Sequence, residues 1–156
     1  MTTTYRERLW PAPWLFISTA LVIPASLLVF LPINTTAGIV VAIVLYLGCV
    51  GLLVLAGPVI EVTDTEFRAG KATLPLSIAG TVTAHKGEDA RVERGTGLDA
   101  RTWLLIRGWI SPLVKIEILD ERDSAPYWVV STRHPDAVVA ALEAAKQRIA
   151  GGRAAD

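Results

Sequence analysis

The chain has 156 residues, of which 52% are hydrophobic and 19% are charged, and its mean hydropathy is +0.45. Its 15 basic and 15 acidic residues cancel, which excludes the electrostatic footprint of a nucleic-acid-binding protein and of a polybasic membrane clamp. The single cysteine, Cys49, lies inside an apolar run, so neither a disulfide framework nor a cysteine-based metal site is available.

Two long apolar runs occupy the first third of the chain. No Lys, Arg, Asp or Glu occurs between Trp14 and Ala56. Runs at about 14–32 and 37–57 are each long enough to cross a hydrocarbon core, which needs about 20 apolar residues. Pro24 predicts a kink in the first helix, and the short PINTT segment predicts a tight turn to the second. Residues 1–58 are therefore predicted to form an N-terminal segment and a transmembrane helical hairpin.

A cleaved signal peptide is the alternative for the first run, but the run is long for one and a second span follows at once. Arg6 and Arg8 precede the first span, whereas the turn between the spans has no basic residue. The positive-inside rule then places both termini in the cytoplasm and the hairpin in the inner (plasma) membrane. Trp10 and Trp14 fit the aromatic belt at the membrane interface.

Small residues are spaced along the second run and allow close helix packing. This packing is either within the hairpin or between two copies of the chain, and a homo-oligomer is therefore an alternative. They are Gly38, Ala42, Gly48 and Gly51.

After Pro58 the hydrophobic period changes to two, which predicts strands. The alternating segments are VIEVT, EFRAGKATLPL, SIAGTVTAH, RTWLLIRGW, LVKIEILD and YWVVS, and together they predict about seven antiparallel strands. KGEDARVERGTGLDA is predicted as a polar connection with one helical turn. Residues 59–150 are thus predicted as one cytoplasmic domain.

An amphipathic helix is predicted to close this domain. His134-Pro135 stops the last strand, because proline suits the first helical position and restricts the residue before it. Asp136 lies in the first turn, where the helix dipole favours an acid. Gly151-Gly152 is predicted to end the helix, and residues 151–156 to form a disordered tail.

Several segments together carry a resemblance to a known family. YRERLW, the two spans, GPVIEVTDTEFRAGKATLPL, RTWLLIRGW and PYWVVSTRHPDAVVAAL resemble an actinobacterial family of two-pass membrane proteins of unknown function (DUF3093-like), from about Tyr5 to Leu142. The strand order before a final helix also resembles bacterial pleckstrin-homology (PH)-like domains. The resemblance implies an α+β membrane protein in which a transmembrane hairpin carries a PH-like β-barrel or sandwich. It implies no catalytic residue.

The sequence offers no strong pattern for catalysis or for metal binding. His85 and His134 are the only histidines and lack the spacing of a zinc site. Ser131 lies close to His134 but has no G-x-S-x-G elbow around it. Gly95–Gly97 lacks the Lys-Ser/Thr of a phosphate-binding loop. We expect no enzyme activity, no cofactor and no metal.

The first strand–strand turn also argues against specific inositide recognition. This turn, TDTEF, carries Asp64 and Glu66, which would repel a phosphorylated headgroup.

A cluster of tryptophans and arginines is the remaining candidate for function. Trp and Arg dominate binding hot spots, and these are many for so small a domain. The candidate interaction surface comprises Arg101, Trp103, Arg107, Trp109, Trp128 and Arg133. We expect a non-enzymatic membrane scaffold that binds a protein partner. The alternatives are a lipid-headgroup-facing module and an accessory subunit of a membrane enzyme.

Overall fold

A computed structural model describes residues 2–153 of the chain, which divides into two units. Residues up to Leu9 and those from Pro58 onward form a β-rich unit, and Trp10–Gly57 form a helical hairpin. The hairpin is therefore an insertion into the β-unit. Residues 1–58 were predicted as one N-terminal segment and hairpin, whereas the structure places the chain up to Leu9 in the β-unit.

The hairpin unit contains α1 (Pro13–Thr19), α2 (Val22–Phe30) and α3 (Thr35–Leu55). The break between α1 and α2 coincides with Pro24, which removes an N–H donor and crowds the carbonyl four residues earlier. Asn34 caps α3, since its Oδ1 accepts a hydrogen bond from the Ala37 amide at 3.1 Å.

Both helical stretches are long and apolar enough to cross a membrane. Pro13–Phe30 has a mean hydropathy of 2.0 and is 0% buried, and Thr35–Leu55 has a mean hydropathy of 2.8 and is 11% buried. The core helix of a soluble protein passes the same test of length and composition when it is mostly buried, and these helices are not. A signal sequence near the N-terminus also passes it.

Two of the four small residues on α3 are used inside the hairpin. Gly38 and Ala42 are buried, and a Cβ on Gly38 would lie only 3.0 Å from Phe30 Cβ. At Gly48 and Gly51 a Cβ would meet nothing within 4 Å. Close packing within the hairpin therefore explains the first half of this helix only.

The first sheet is a four-stranded antiparallel meander with the order β1-β2-β3-β4. Its strands are β1 (Thr3–Arg8), β2 (Val59–Thr63), β3 (Glu66–Ala69) and β4 (Ala72–Pro75). The β3–β4 turn needs Gly70, whose φ of 62° matches the first central position of a type II′ hairpin turn. β1 was not predicted, because TTYRER is mostly polar and lacks the apolar alternation of a half-buried strand.

The second sheet has the order β5-β7-β8-β6. Its strands are β5 (Ala79–His85), β6 (Trp103–Leu105), β7 (Leu113–Ile118) and β8 (Tyr127–Ser131). The prediction that all strands are antiparallel is wrong here, since β6 pairs with β8 in parallel. RTWLLIRGW yields only a three-residue strand. Beyond it, the Arg107 amide donates to the Ser131 hydroxyl at 3.1 Å.

Of the predicted barrel or sandwich, the structure has no closed barrel, since the strands form two separate sheets and no ladder closes them within residues 2–153. Between the sheets lies one apolar core in which Phe67, Ile60, Leu74 and Ile116 are fully buried. The final helix α5 (Pro135–Arg153) seals this core with Val138, Leu142 and Ala145, each 0% exposed. The chain is thus an α+β protein with two apolar helices near its start.

Two helical segments differ in length from the prediction. The polar connection holds α4 (Gly87–Arg94), a full helix whose Ala90 is buried against Leu113 and Val129. α5 continues through Gly151 and Gly152 to Arg153, so these glycines do not end it. The rest of the predicted tail, 154–156, lies outside the described residues.

Candidate interaction surface

The structure brings the two strand tryptophans of the candidate surface together. Trp103 and Trp128 are direct partners in the β6–β8 ladder, and their rings stack with centroids 4.0 Å apart. Trp128 also meets the Phe67 ring edge-on at 6.5 Å and is 7% exposed. Trp128 is therefore mainly a core residue, and Trp103, which is half-buried, covers it.

Arg107 and Trp109 form a second local pair in the loop after β6. The Arg107 guanidinium lies 6.0 Å from the centroid of the Trp109 ring, at the limit of a cation–π contact. Its Nη1 donates to the Ile106 carbonyl at 3.2 Å. The Trp109 Nε1 is buried and has no hydrogen-bond acceptor among residues 2–153.

Arg101 contacts Asp99 and belongs to neither aromatic pair. Its Nη2 lies 3.2 Å from Asp99 Oδ2, and its backbone amide donates to Asp99 Oδ1 at 2.9 Å. These hydrogen bonds lower the pKa of the Asp99 carboxyl. The Arg101 side chain remains 70% exposed, so its ion pair adds little to stability.

Arg133 belongs to a polar cluster centred on Glu7, a residue that the sequence analysis did not select. Glu7 Oε1 accepts from the Arg133 amide at 3.0 Å and lies 4.0 Å from its Nη1. Glu7 Oε2 accepts from the Thr132 hydroxyl at 2.5 Å and from the Tyr5 hydroxyl at 2.9 Å. We call these four residues the Glu7 cluster.

The Glu7 cluster ties the first strand to the junction between β8 and α5. The Glu7 side chain is only 10% exposed, so its charge depends on these donors. Burial, and then the hydrogen bond to Glu7, raise the pKa of Tyr5 to about 12. YRERLW and PYWVVSTRHP, two segments that carried the family resemblance, meet at this point.

A groove of about 260 Å³ crosses the outer face of the second sheet. It is lined by Thr81, Thr83, His85, Glu93, Lys115, Glu117 and Tyr127. We call it the outer groove. β5, β7 and β8 supply its floor through their outward-facing alternate positions, and α4 supplies one wall through Glu93.

The polar groups of the outer groove are paired with one another. Lys115 Nζ lies 2.7 Å from Glu93 Oε2 and 4.5 Å from the centroid of the Tyr127 ring. Glu117 Oε2 accepts from the Thr81 amide at 3.2 Å. Both members of the Lys115–Glu93 pair are largely shielded, with 23% and 21% of their side chains exposed. A ligand would therefore meet a pre-formed floor with fixed donors and acceptors.

The alternation along two predicted strands indicates which side chains line this groove. The predicted strands SIAGTVTAH and LVKIEILD place Thr81, Thr83 and His85, and Lys115 and Glu117, at alternate positions. These positions face away from the core by periodicity alone. Their meeting on one face depends on β5 pairing with β7, which no local pattern showed.

The groove has no obvious metal chemistry. Among the residues described, no group of three or more His, Cys, Asp or Glu side chains could hold a metal ion.

Comparison with known proteins gives one match. The model of a protein family described as "Protein of unknown function (DUF3093)" matches residues 4–142. This match confirms the resemblance to a DUF3093-like family of unknown function. No curated protein and no solved structure matches the chain.

Proposed function

The chain belongs to the DUF3093 family, and we propose that it is a two-pass inner-membrane protein whose β-unit binds a protein partner in the cytoplasm without catalysing a reaction. The two sheets of four strands and the final helix also support a PH-like fold for the β-unit.

The pairing of β1 with β2 is the observation that supports the proposed membrane topology. These strands flank the hairpin, and the Leu9 amide donates to the Pro58 carbonyl at 2.9 Å. The chain therefore enters and leaves the hairpin at one place on the β-unit. Two spans return a chain to the side from which it entered, as this pairing requires. Arg6 and Arg8 then favour the cytoplasmic side.

The same pairing argues against a cleaved signal sequence. Cleavage after the first helix would remove β1, which supplies the carboxylate of the Glu7 cluster, and the fully buried Leu9 that follows it. It would also leave the edge of β2 unpaired. A permanent anchor keeps all of these contacts.

The outer groove supports partner binding better than it supports a cofactor site. Its volume of about 260 Å³ is below the roughly 300–1,000 Å³ of typical small-molecule sites. A groove of this size accommodates one or two side chains of a partner. The partially exposed Tyr127 ring and the fixed charges of Glu93 and Lys115 provide both apolar contact and orientation.

A gentle-detergent pull-down of the tagged full-length chain tests this proposal, with retained proteins identified by mass spectrometry. Thr83→Arg places a long cation in the outer groove, and Thr65→Arg makes the same change in the exposed β2–β3 turn as a matched control. We expect a partner that is retained by the native chain and by Thr65→Arg and lost with Thr83→Arg. Equal retention by both variants would refute the groove as its site.

A further inference from the structure

The strand β5 forms one edge of the second sheet, in which its only neighbour is β7. The backbone groups of an edge strand that face away from its neighbour can pair with another chain, unless other elements cover them. Lys146 covers the start of this edge, since its Nζ donates to the Gly80 carbonyl at 2.7 Å. The next amide, that of Thr81, donates to Glu117 Oε2 at 3.2 Å. Only the part of β5 beyond Thr81 can therefore accept another strand.

Two hydrogen bonds show in which direction the residues of β7 bond. The Leu119 amide donates to the Ile78 carbonyl, on the β5 side, at 2.8 Å. The Ile118 amide donates to the Pro126 carbonyl, on the β8 side, at 2.9 Å. Because bonding directions alternate along an antiparallel strand, the odd-numbered residues of β7 bond to β5 and the even-numbered residues bond to β8.

The register of β5 against β7 then identifies the free backbone groups. Thr83 lies opposite Lys115, an odd-numbered residue, so the N–H and C=O of Thr83 bond to β7. The N–H and C=O of its neighbours Val82 and Ala84 therefore point away from β7. Among residues 2–153, neither Val82 nor Ala84 has a hydrogen bond outside this ladder. Thr83 and Ala84 are exposed, so another chain can reach residues 82–85, which we call the open edge.

The open edge borders the outer groove, because Thr83 and His85 also line that groove. A strand added to β5 would lie about 4.8 Å from it, and every second side chain of that strand would stand on the face that carries Thr83 and His85. β7 would be two strand spacings away, about 10 Å. A long side chain of the added strand can therefore meet the side chains that β7 presents to the groove.

The charge of the outer groove indicates which side chain fits there. Its lining holds two carboxylates, Glu93 and Glu117, and one ammonium group, that of Lys115. Lys115 is paired with Glu93 at 2.7 Å. Glu117 is half-buried and accepts from the Thr81 amide, but it makes no ion pair with any residue that the structure describes. One negative charge is therefore left without a cation, which favours a basic side chain.

From these observations we infer that an extended segment of the protein partner adds as a strand to the open edge and places a Lys or Arg side chain beside Glu117. Strand addition takes its affinity from main-chain hydrogen bonds and its specificity from alternate side chains. Val82 and Ala84 offer the main-chain groups, and Glu117 offers the specificity. The inference rests on the proposed function, because it names the part of the partner that the outer groove receives.

Peptides selected against the full chain test the inference before the partner is known. Short random peptides displayed on phage are selected on the full chain in phosphatidylcholine nanodiscs, after removal of phage that bind empty nanodiscs. An enriched peptide is synthesised with a fluorophore, and its Kd is measured by fluorescence anisotropy. We expect enriched sequences that share a Lys or Arg and have β-branched or aromatic residues at alternate positions.

N-methylation of single peptide amides tests the main-chain hydrogen bonds and leaves the protein unchanged. In an added strand every second amide faces β5. Methylation of such an amide removes a hydrogen bond and places a methyl group against β5, so Kd should rise about tenfold or more. Methylation of the amides between them should change Kd less than about twofold. A Kd that is insensitive to methylation at every position overturns strand addition.

Glu117→Gln tests the charge, since the glutamine keeps an oxygen that can accept from the Thr81 amide. Kd should rise about tenfold for the selected peptide and stay unchanged for the same peptide with norleucine in place of its Lys or Arg. Glu121→Gln makes the same change at an exposed residue in the turn before β8 and should leave both constants within about twofold. Equal constants in the two variants overturn the pairing with Glu117. Circular dichroism checks that each variant is folded.

Thr83→Arg separates the failure of this inference from the failure of the proposed function. Peptide binding that is lost in Thr83→Arg but insensitive to N-methylation overturns strand addition and leaves the outer groove as the partner site. The same conclusion follows if no peptide is enriched while the partner found by pull-down is still lost with Thr83→Arg. Enriched peptides that bind Thr83→Arg as tightly as the native chain overturn both, and so does the absence of any enriched peptide together with an empty pull-down.

Discussion

Replacement of Glu7 by alanine is the sharpest test of how the β-unit is assembled. Glu7 precedes the hairpin in sequence, yet its carboxylate is held by Thr132 and Arg133, more than a hundred residues away. If these hydrogen bonds join β1 to the rest of the unit, their loss should lower the free energy of unfolding of the whole β-unit and not only loosen β1.

The expected magnitude follows from the contacts. Glu7→Ala removes two bonds to a charged acceptor, from the buried Thr132 hydroxyl and from the Arg133 amide, each worth about 1.5–3 kcal/mol. The Tyr5 hydroxyl is partly exposed and can turn to water, and water can also reach the Arg133 amide. We therefore expect a loss of about 3 kcal/mol in the free energy of unfolding, near the lower limit for two such bonds.

Thermal unfolding of the full chain in mild detergent measures this loss. The stacked Trp103–Trp128 pair should give a near-ultraviolet circular dichroism signal that reports the β-unit. For a unit of this size, about 3 kcal/mol corresponds to a fall of roughly 10–20 °C in Tm.

Glu88→Ala is the matched control, because that side chain is 74% exposed and pairs with Arg91 at 3.6 Å. It should cost less than about 0.5 kcal/mol. A Glu7→Ala protein that unfolds within about 1 kcal/mol of the control would refute the role of the Glu7 cluster. A double-mutant cycle with Thr132→Val should give a coupling of about 1–3 kcal/mol if the bond itself is responsible.

Three further measurements test other parts of the structure. Gly80→Ala places a Cβ 2.9 Å from Glu117 Oε2 and 3.1 Å from Glu117 Cβ, so the Glu117 side chain must shift. The substitution should cost about 1 kcal/mol in a denaturant titration. Gly108→Ala, whose Cβ would meet nothing within 4 Å, should be close to neutral. The pKa of Tyr5 is raised from 10.0 to about 12. The stability that the protonated Tyr5 hydroxyl contributes is therefore complete below pH 10 and is lost as the pH rises through 12. The fall in Tm at alkaline pH should be smaller in Tyr5→Phe than in the native chain, and an equal fall would contradict this. Replacement of residues 10–57 by a short Gly/Ser linker should give a soluble folded β-unit with a dispersed NMR spectrum, and the same chain cut to begin at residue 58 should not fold.

The sequence determined the elements whose signal is local. A charge-free run longer than 40 residues predicts apolar helices. Pro24 interrupts the first because a proline cannot donate to the helix ladder. Period-two alternation located β2, β3, β4, β5, β7 and β8, because one face of each strand must reach the core. His134-Pro135 marked the start of α5 for the same local reason, the fixed φ of proline.

Only the tertiary structure decided what depends on partners distant in sequence. β1 is a strand because β2 offers it an edge and because Thr132 and Arg133 supply donors to Glu7; TTYRER by itself shows no such tendency. Trp128 is buried since Phe67 and Trp103 cover it. The outer groove likewise exists only through the pairing of β5 with β7, which brings together side chains that are more than 30 residues apart in sequence.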